Sequence, residues 1–359
     1  MPAVAFRSAT SARRGAAVLA AGGLLLVVAA LASLAIGPIF IAPRDILSIL
    51  FDAVRGIQPD TPMAMRDATV VLDIRLPRTV LAVLVGATLA MAGAVLQGMF
   101  RNPLADPGLV GVSTGAAFAA VLWIVFGAAA AGLYPQLLAA FMLPLAAFAG
   151  GLASTILLYR LATRDGRTSV AMLLFSGIAL GALAGAGTGL VIFVSTDQQL
   201  REFTFWTLGS IGGASWTKAG IILPFCLLLL LGALWLSRGL DALALGEAEA
   251  FHLGIDTQSL KRAAVVLVAA GVGAAVAISG VIGFIGLVVP HLLRLSAGPL
   301  HRPLILGCAL FGAALLTMAD IVARTAAVPA EVPIGVVTAI IGAPYFLYLV
   351  HRNRAMLGG

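Results

Sequence analysis

Ten apolar stretches near membrane-crossing length leave this chain few ways to fold. A hydrocarbon core about 30 Å thick takes about 20 helical residues. On that basis the spans fall near 16–36, 78–99, 108–127, 138–161, 170–194, 219–236, 262–281, 283–296, 303–322 and 334–351, the eighth being short and bounded by Gly and Pro. Inside lipid every backbone N–H and C=O needs a protein partner, so these segments are expected as helices. The expected fold is all-α: a polytopic membrane protein with one transmembrane domain over residues 1–359. Composition agrees, with 61% hydrophobic and 10% charged residues; a soluble domain carries about 25% charged residues. The run 16–36 follows Arg7, Arg13 and Arg14 like a signal peptide, but it is longer than a usual signal core and further spans follow. It is therefore expected as the first membrane helix.

The net charge of +7 does not indicate nucleic-acid binding, because the Lys and Arg residues sit between apolar runs, where they set topology. With the N-terminus inside, fourteen of the 22 basic residues face the cytoplasm, Arg354 among them, and eight face outward. The bias favours both termini in the cytoplasm. Residues 43–55 alternate apolar and charged positions at helical spacing and open an outer amphipathic segment over 43–74. A second outer helix is expected over 197–210, with Phe203, Phe205 and Trp206 at interfacial depth. Cys226 and Cys308 lie in apolar runs, at a spacing that suits neither a metal site nor a redox pair, and read as small core residues. A weak internal echo relates Ala90–Val95 to Ala277–Ile282, in spans of opposite direction, as an inverted repeat would.

Catalytic and coupling motifs are sparse. Lys218 and Lys261 are followed by Ala219 and Arg262, so neither completes a phosphate-binding loop, and no HExxH pattern occurs. No catalytic residue, metal site or permanently bound cofactor is expected. The clearest carboxylate within a span is Asp320, four residues before Arg324, which reads as an interfacial ion pair. Coupling to an ion gradient is thus poorly supported, and a separate energy source is required. The cytoplasmic segment 237–261 contains a polar insert, Leu243 to Asp256, with Glu247 and Glu249 followed by Gly254. A short charged helix held at a membrane face suits docking by another protein. Arg75, Arg78 and Arg324 stand at outer boundaries, either snorkelling or as a basic rim for acidic side chains. Gly181, Gly185 and Gly189 repeat every four residues on one face, for close helix packing or to leave room for a flat ligand. His252, His291, His301 and His351 are scattered and do not form a ligand set.

Four stretches together resemble the FecCD-type permeases, membrane subunits of type II ABC importers for ferric siderophores, haem and vitamin B12. They are IRLPRTVLAVLVGATLAMAGAVLQGMFRNPLADPGLVGVSTGAA, LALGEAEAFHLGI, SGVIGFIGLVVPHLLRL and DIVARTAAVPAEVPIGVVTAIIGAP. The resemblance implies a vitamin B12 permease-like fold, a homodimer with an axial path, two cytoplasmic ABC ATPase subunits that hydrolyse ATP, and a periplasmic substrate-binding protein. It places the chain in a bacterial inner membrane. It implies that Arg75, Arg78 and Arg324 meet glutamates of the binding protein, and that Leu245, Gly246, Glu247, Glu249, Ala250, Leu253 and Gly254 belong to the segment engaging the ATPase. Asn102, Leu104, Thr168 and Ser169 match residues narrowing the cytoplasmic end of the path in vitamin B12 permeases; Gly181 and Gly185, from the glycine stripe, are expected along the path as well. The stretch LREFTFWTLGS resembles the haem branch, so haem is the expected cargo; a ferric siderophore, a cobalamin and an ion-coupled carrier are the alternatives.

Overall fold

The structure, a computed structural model, describes residues 2–127, 136–164 and 167–352. Arg354, counted above with the cytoplasmic charges, lies outside them. Among the described residues the helices run α1 (Pro2–Ala35), α2 (Pro43–Arg55), α3 (Pro62–Thr69), α4 (Leu76–Phe100), α5 (Val112–Phe126), α6 (Gln136–Ala162), α7 (Val170–Phe193), α8 (Asp197–Thr207), α9 (Trp216–Leu243), α10 (Glu247–His252), α11 (Thr257–Ser279), α12 (Ile285–Ala297), α13 (His301–Thr325) and α14 (Ile334–Arg352). Seven are long and apolar enough to cross a membrane, and three shorter apolar helices, α5, α12 and α14, bring the set to the ten expected. Among the described residues the strands are confined to a two-residue hairpin, β1 (Thr163–Arg164) against β2 (Arg167–Thr168), between α6 and α7.

α4 is the axis of the fold, packed against α13, α9, α12 and α11. The apolar window containing it is 83% buried, against 11% for that of α7. Glycine makes this possible where helices cross. A Cβ on Gly93 would overlap the carbonyl oxygen of Gly286 on α12, and one on Gly86 would overlap that of Gly312 on α13. Small residues let backbones approach where lipid offers no hydrophobic drive.

Local sequence explains the element ends. Thr196 and Gln199 form a capping box that starts α8, and Gln199 Nε2 also donates to the Ile124 and Val125 carbonyls that end α5. α3 continues through a π-helical turn, Val70–Arg75, straight into α4. The echoed strings occupy unlike backbone: Ala90–Val95 lies inside α4, whereas Ala277–Ile282 runs through the end of α11, where Gly280 has φ 68°. Cys226 and Cys308 are buried free thiols, as their apolar setting indicated.

Replacing Gly93 by Val should force α4 and α12 apart and cost about 1–3 kcal/mol, the usual scale of overpacking. Gly220→Ala enters open space and should be neutral. Thermal unfolding of the two variants in detergent measures the difference.

Candidate functional site

Arg78 and Asn102 mark opposite ends of α4, about 36 Å apart at 1.5 Å per residue. At the Arg78 end three arginines converge. Arg75, on the π turn, donates to the carbonyls of Leu34 (2.6 Å), Ala35 (3.0 Å) and Ile39. Arg324, on α13, donates to the Ser33 carbonyl at 2.6 Å and to Ser33 Oγ at 2.9 Å. The last carbonyls of a helix have no intrahelical donor. Two arginines therefore close the end of α1, and the bond between Ser33 Oγ and Thr79 Oγ1 at 2.7 Å ties it to α4. That fastening holds the segment 16–36 as an integral helix of the bundle.

Arg78 bridges two carboxylates. Its Nε and Nη2 donate to Asp320 at 3.0–3.1 Å, and Nη1 and Nη2 reach Glu331 at 2.8 and 2.9 Å. Asp320 is fully buried and also faces Arg324 Nε at 3.7 Å, so its sequence reading as the (i, i+4) partner of Arg324 is incomplete. The sequence brings the three arginines to one end as expected, but not as free side chains. Arg75, Arg78 and Arg324 are 3%, 7% and 5% exposed, because each is committed to carbonyls or carboxylates of its own chain. Glu331, 45% exposed, is the solvent-facing member.

At the opposite end α4 closes with Arg101 in the left-handed region, φ 51°. Its N–H donates to the Gly98 carbonyl and the next, Asn102, to that of Gln97, a Schellman arrangement. Asn102 Oδ1 then accepts the Leu104 N–H at 2.9 Å. Ser169 caps α7 by accepting the Met172 N–H, and Thr168 is buried on the hairpin. Met99 and Phe100 share a crevice with Thr168 and Lys261, so the end of α4 that leads into Asn102 lies beside the hairpin.

α10 lies at this end too. Gly246 (φ 138°) and Gly254 (φ 79°) frame it in backbone conformations that a side chain rarely adopts. Leu245, Phe251 and Leu253 are 69%, 72% and 62% exposed beside Glu247 and Glu249, an apolar patch with acidic neighbours. Within α10 Ala250 differs from its neighbours: it is fully buried and anchors the helix to its own chain. Asp256 caps α11, and its bonds from the Ser259 hydroxyl and backbone hold its carboxyl below the usual range.

On α7, Gly181 has only a distant neighbour, Thr114, while Gly185 and Gly189 face open space. Within one chain this stripe does not serve close packing; Phe175, Ile178 and Leu183 are likewise exposed on α7. His301 is held on both sides: Nε2 accepts from Arg294 at 3.3 Å, because arginine only donates, so Nδ1 donates to Asp241 at 2.7 Å. Among the described residues no group of His, Cys, Asp and Glu suits a metal ion. One hydrolase-like string, G-x-S-x-G at Gly111–Gly115, does occur, but it follows a 3-10 turn into a membrane helix and lacks the strand-to-helix setting of a nucleophile elbow.

Sequence reading overlooked Lys261, Gln258, Glu331 and Ser33. A lysine in an apolar setting and a Glu three residues before a helix-starting Ile were the available signals.

Hydrogen bonds from Arg78 hold the Glu331 carboxyl below the usual glutamate value, against partial burial. Its contribution is therefore complete above the unfolded value, about pH 4.3, and is lost as pH falls through the lowered one. Glu331→Gln should lower thermal stability at pH 7 by no more than about 1 kcal/mol, given its exposure. The gap to the parent protein should close below about pH 4 in paired melting curves.

Known proteins resemble the chain throughout. A solved structure described as an inward-facing metal-chelate type ABC transporter superposes with a TM-score of 0.79 at 34% identity, covering 93% of this chain and 98% of that one. The hemin transport system permease protein HmuU of Yersinia pestis is 48% identical over 292 residues, 80% of this chain and 85% of its own. The vitamin B12 import system permease protein BtuC of Salmonella paratyphi A is 41% identical over 344 residues, 95% and 97% of the two chains. Residues 25–352 match the FecCD transport family, and the chain belongs to it as an integral membrane permease.

Proposed function

We propose that this chain is the membrane subunit of an ATP-driven importer carrying haem from a periplasmic binding protein to the cytoplasm. Two copies would enclose the path, with the open face of α7 and its Gly181 and Gly185 turned toward it. The observation that carries the energy source is α10: an exposed apolar and acidic patch on a chain without a phosphate-binding loop fits a separate ATPase seated there. Residues Leu245, Glu247, Glu249 and Leu253 contact that subunit, Gly246 and Gly254 shape the segment, and Ala250 roots it. Asn102, Leu104, Thr168 and Ser169 line the cytoplasmic end of the path. The α10 end then faces the cytoplasm of a bacterial inner membrane, with both chain termini on that side, and the arginine end faces the periplasm.

The likeness to the hemin permease supports haem as cargo. A cobalamin or a ferric siderophore is the second reading, favoured by the vitamin B12 relatives and the metal-chelate transporter. Proteoliposomes holding the permease, its ATPase and the binding protein should accumulate haem only with ATP. Preference for cobalamin or a ferric siderophore would replace the cargo, and gradient-driven uptake without an ATPase would overturn the reading. Changing Glu247 and Glu249 together to Lys should cut that uptake at least about tenfold, as charge reversal at an interface costs more than 1.4 kcal/mol.

Docking of the binding protein at the arginine cluster runs through Arg78, reached by displacing Glu331, with Arg75 and Arg324 holding the rim in place. Reversing Arg75 and Arg324 would strip the end of α1, so the informative variant is Glu331→Gln. Freeing the outer edge of Arg78 should tighten capture of the binding protein by about 2–5-fold, the scale of an exposed pair, in a surface-binding assay. Unchanged or weaker capture removes Arg78 from the contact.

A further inference from the structure

Lys261 lies in the first turns of α11, 3% exposed, and joins two segments that sequence reading treated separately. Its ammonium donates to Glu247 Oε1 on α10 at 2.8 Å and to the Thr168 carbonyl on β2 at 3.4 Å. One turn earlier, Gln258 Oε1 accepts the Thr168 N–H at 3.1 Å. Both backbone polar groups of Thr168 are thus held by α11. The Thr168 hydroxyl donates to Tyr159 OH at 3.2 Å and pairs with Thr163 Oγ1 at 3.0 Å, which stiffens the hairpin around it.

A desolvated ammonium is retained only when paired, and breaking one partner away leaves its demand on the other. Glu247 is 46% exposed on the patch where a partner would seat. Whatever binds α10 therefore meets the carboxylate that neutralises Lys261. We propose that Lys261 is the positioning residue that couples α10 to the hairpin, so that a shift of Glu247 is passed through the ammonium to the Thr168 carbonyl and moves the path's cytoplasmic end. This rests on the reading of α10 as the ATPase seat and of Thr168 as part of the path.

The test uses the complete complex of permease, ATPase and binding protein in proteoliposomes, with spin labels at Arg164→Cys on the hairpins of both copies. Lys261→Met should abolish the nucleotide-dependent change in label distance and raise ATP consumed per haem moved about tenfold, within the usual range of coupling energies. Lys261→Arg should restore both readouts. Should Lys261→Met fail to assemble, Glu247→Gln decides, because it keeps the shape of the contact and removes its charge. A distance change and stoichiometry like the parent's in either assembled variant overturn the proposal. If the unaltered complex moves no cargo with ATP, the importer reading falls and the proposal with it.

Discussion

Helix ends inside or beside lipid must satisfy carbonyls that water cannot reach, and this constraint organises one whole end of the molecule. α1 ends with the carbonyls of Ser33, Leu34 and Ala35, and the donors come from Arg75 and Arg324, on elements far along the chain. Those cations gather beside Arg78, and the counter-charge comes from Asp320, which faces both Arg78 and Arg324, and from Glu331 on Arg78. Removing one partner of such a buried group typically costs about 3–5 kcal/mol, so the cluster holds α1, α4 and α13 in fixed relation.

The two ends use the same construction. Arg78 is shared between a buried carboxylate and Glu331, which is 45% exposed. Lys261 is shared between a buried carbonyl and Glu247, which is 46% exposed. In each case a cation sealed within the protein holds a half-exposed carboxylate at the rim. On the proposed reading, a docking protein would compete for that carboxylate or its cation. α4, packed backbone to backbone against α12 and α13, spans the distance between the two devices.

The helical architecture was legible because burial in lipid demands long apolar runs, and each run lies on a helix, although α1 begins 14 residues before its run and α9 continues seven beyond. The short eighth span was legible as well, since Gly and Pro bound it on both sides and α12 is indeed only 13 residues long. Side-chain commitments were not. Arg78 and Asp320 are 242 residues apart, and spacing alone gives no sign that they meet. Resemblance placed Arg75, Arg78 and Arg324 at one end but left them free, because a motif does not carry the carbonyls of α1. Ala250 was grouped with its exposed neighbours although one position along a short helix turns a residue from solvent to core. Lys261 escaped notice because its two partners lie 14 and 93 residues away.

The stripe of α7 that meets nothing within its own chain has an evolutionary consequence. Residues such as Ile178 and Gly185 contribute little to the stability of the scaffold, so exchanging them leaves the mast of α4 and both terminal clamps intact. On the proposed reading of α7 as path lining, a lineage can therefore retune that surface for a new passenger at small thermodynamic cost, without touching the contacts that hold α1, α4 and α13 together.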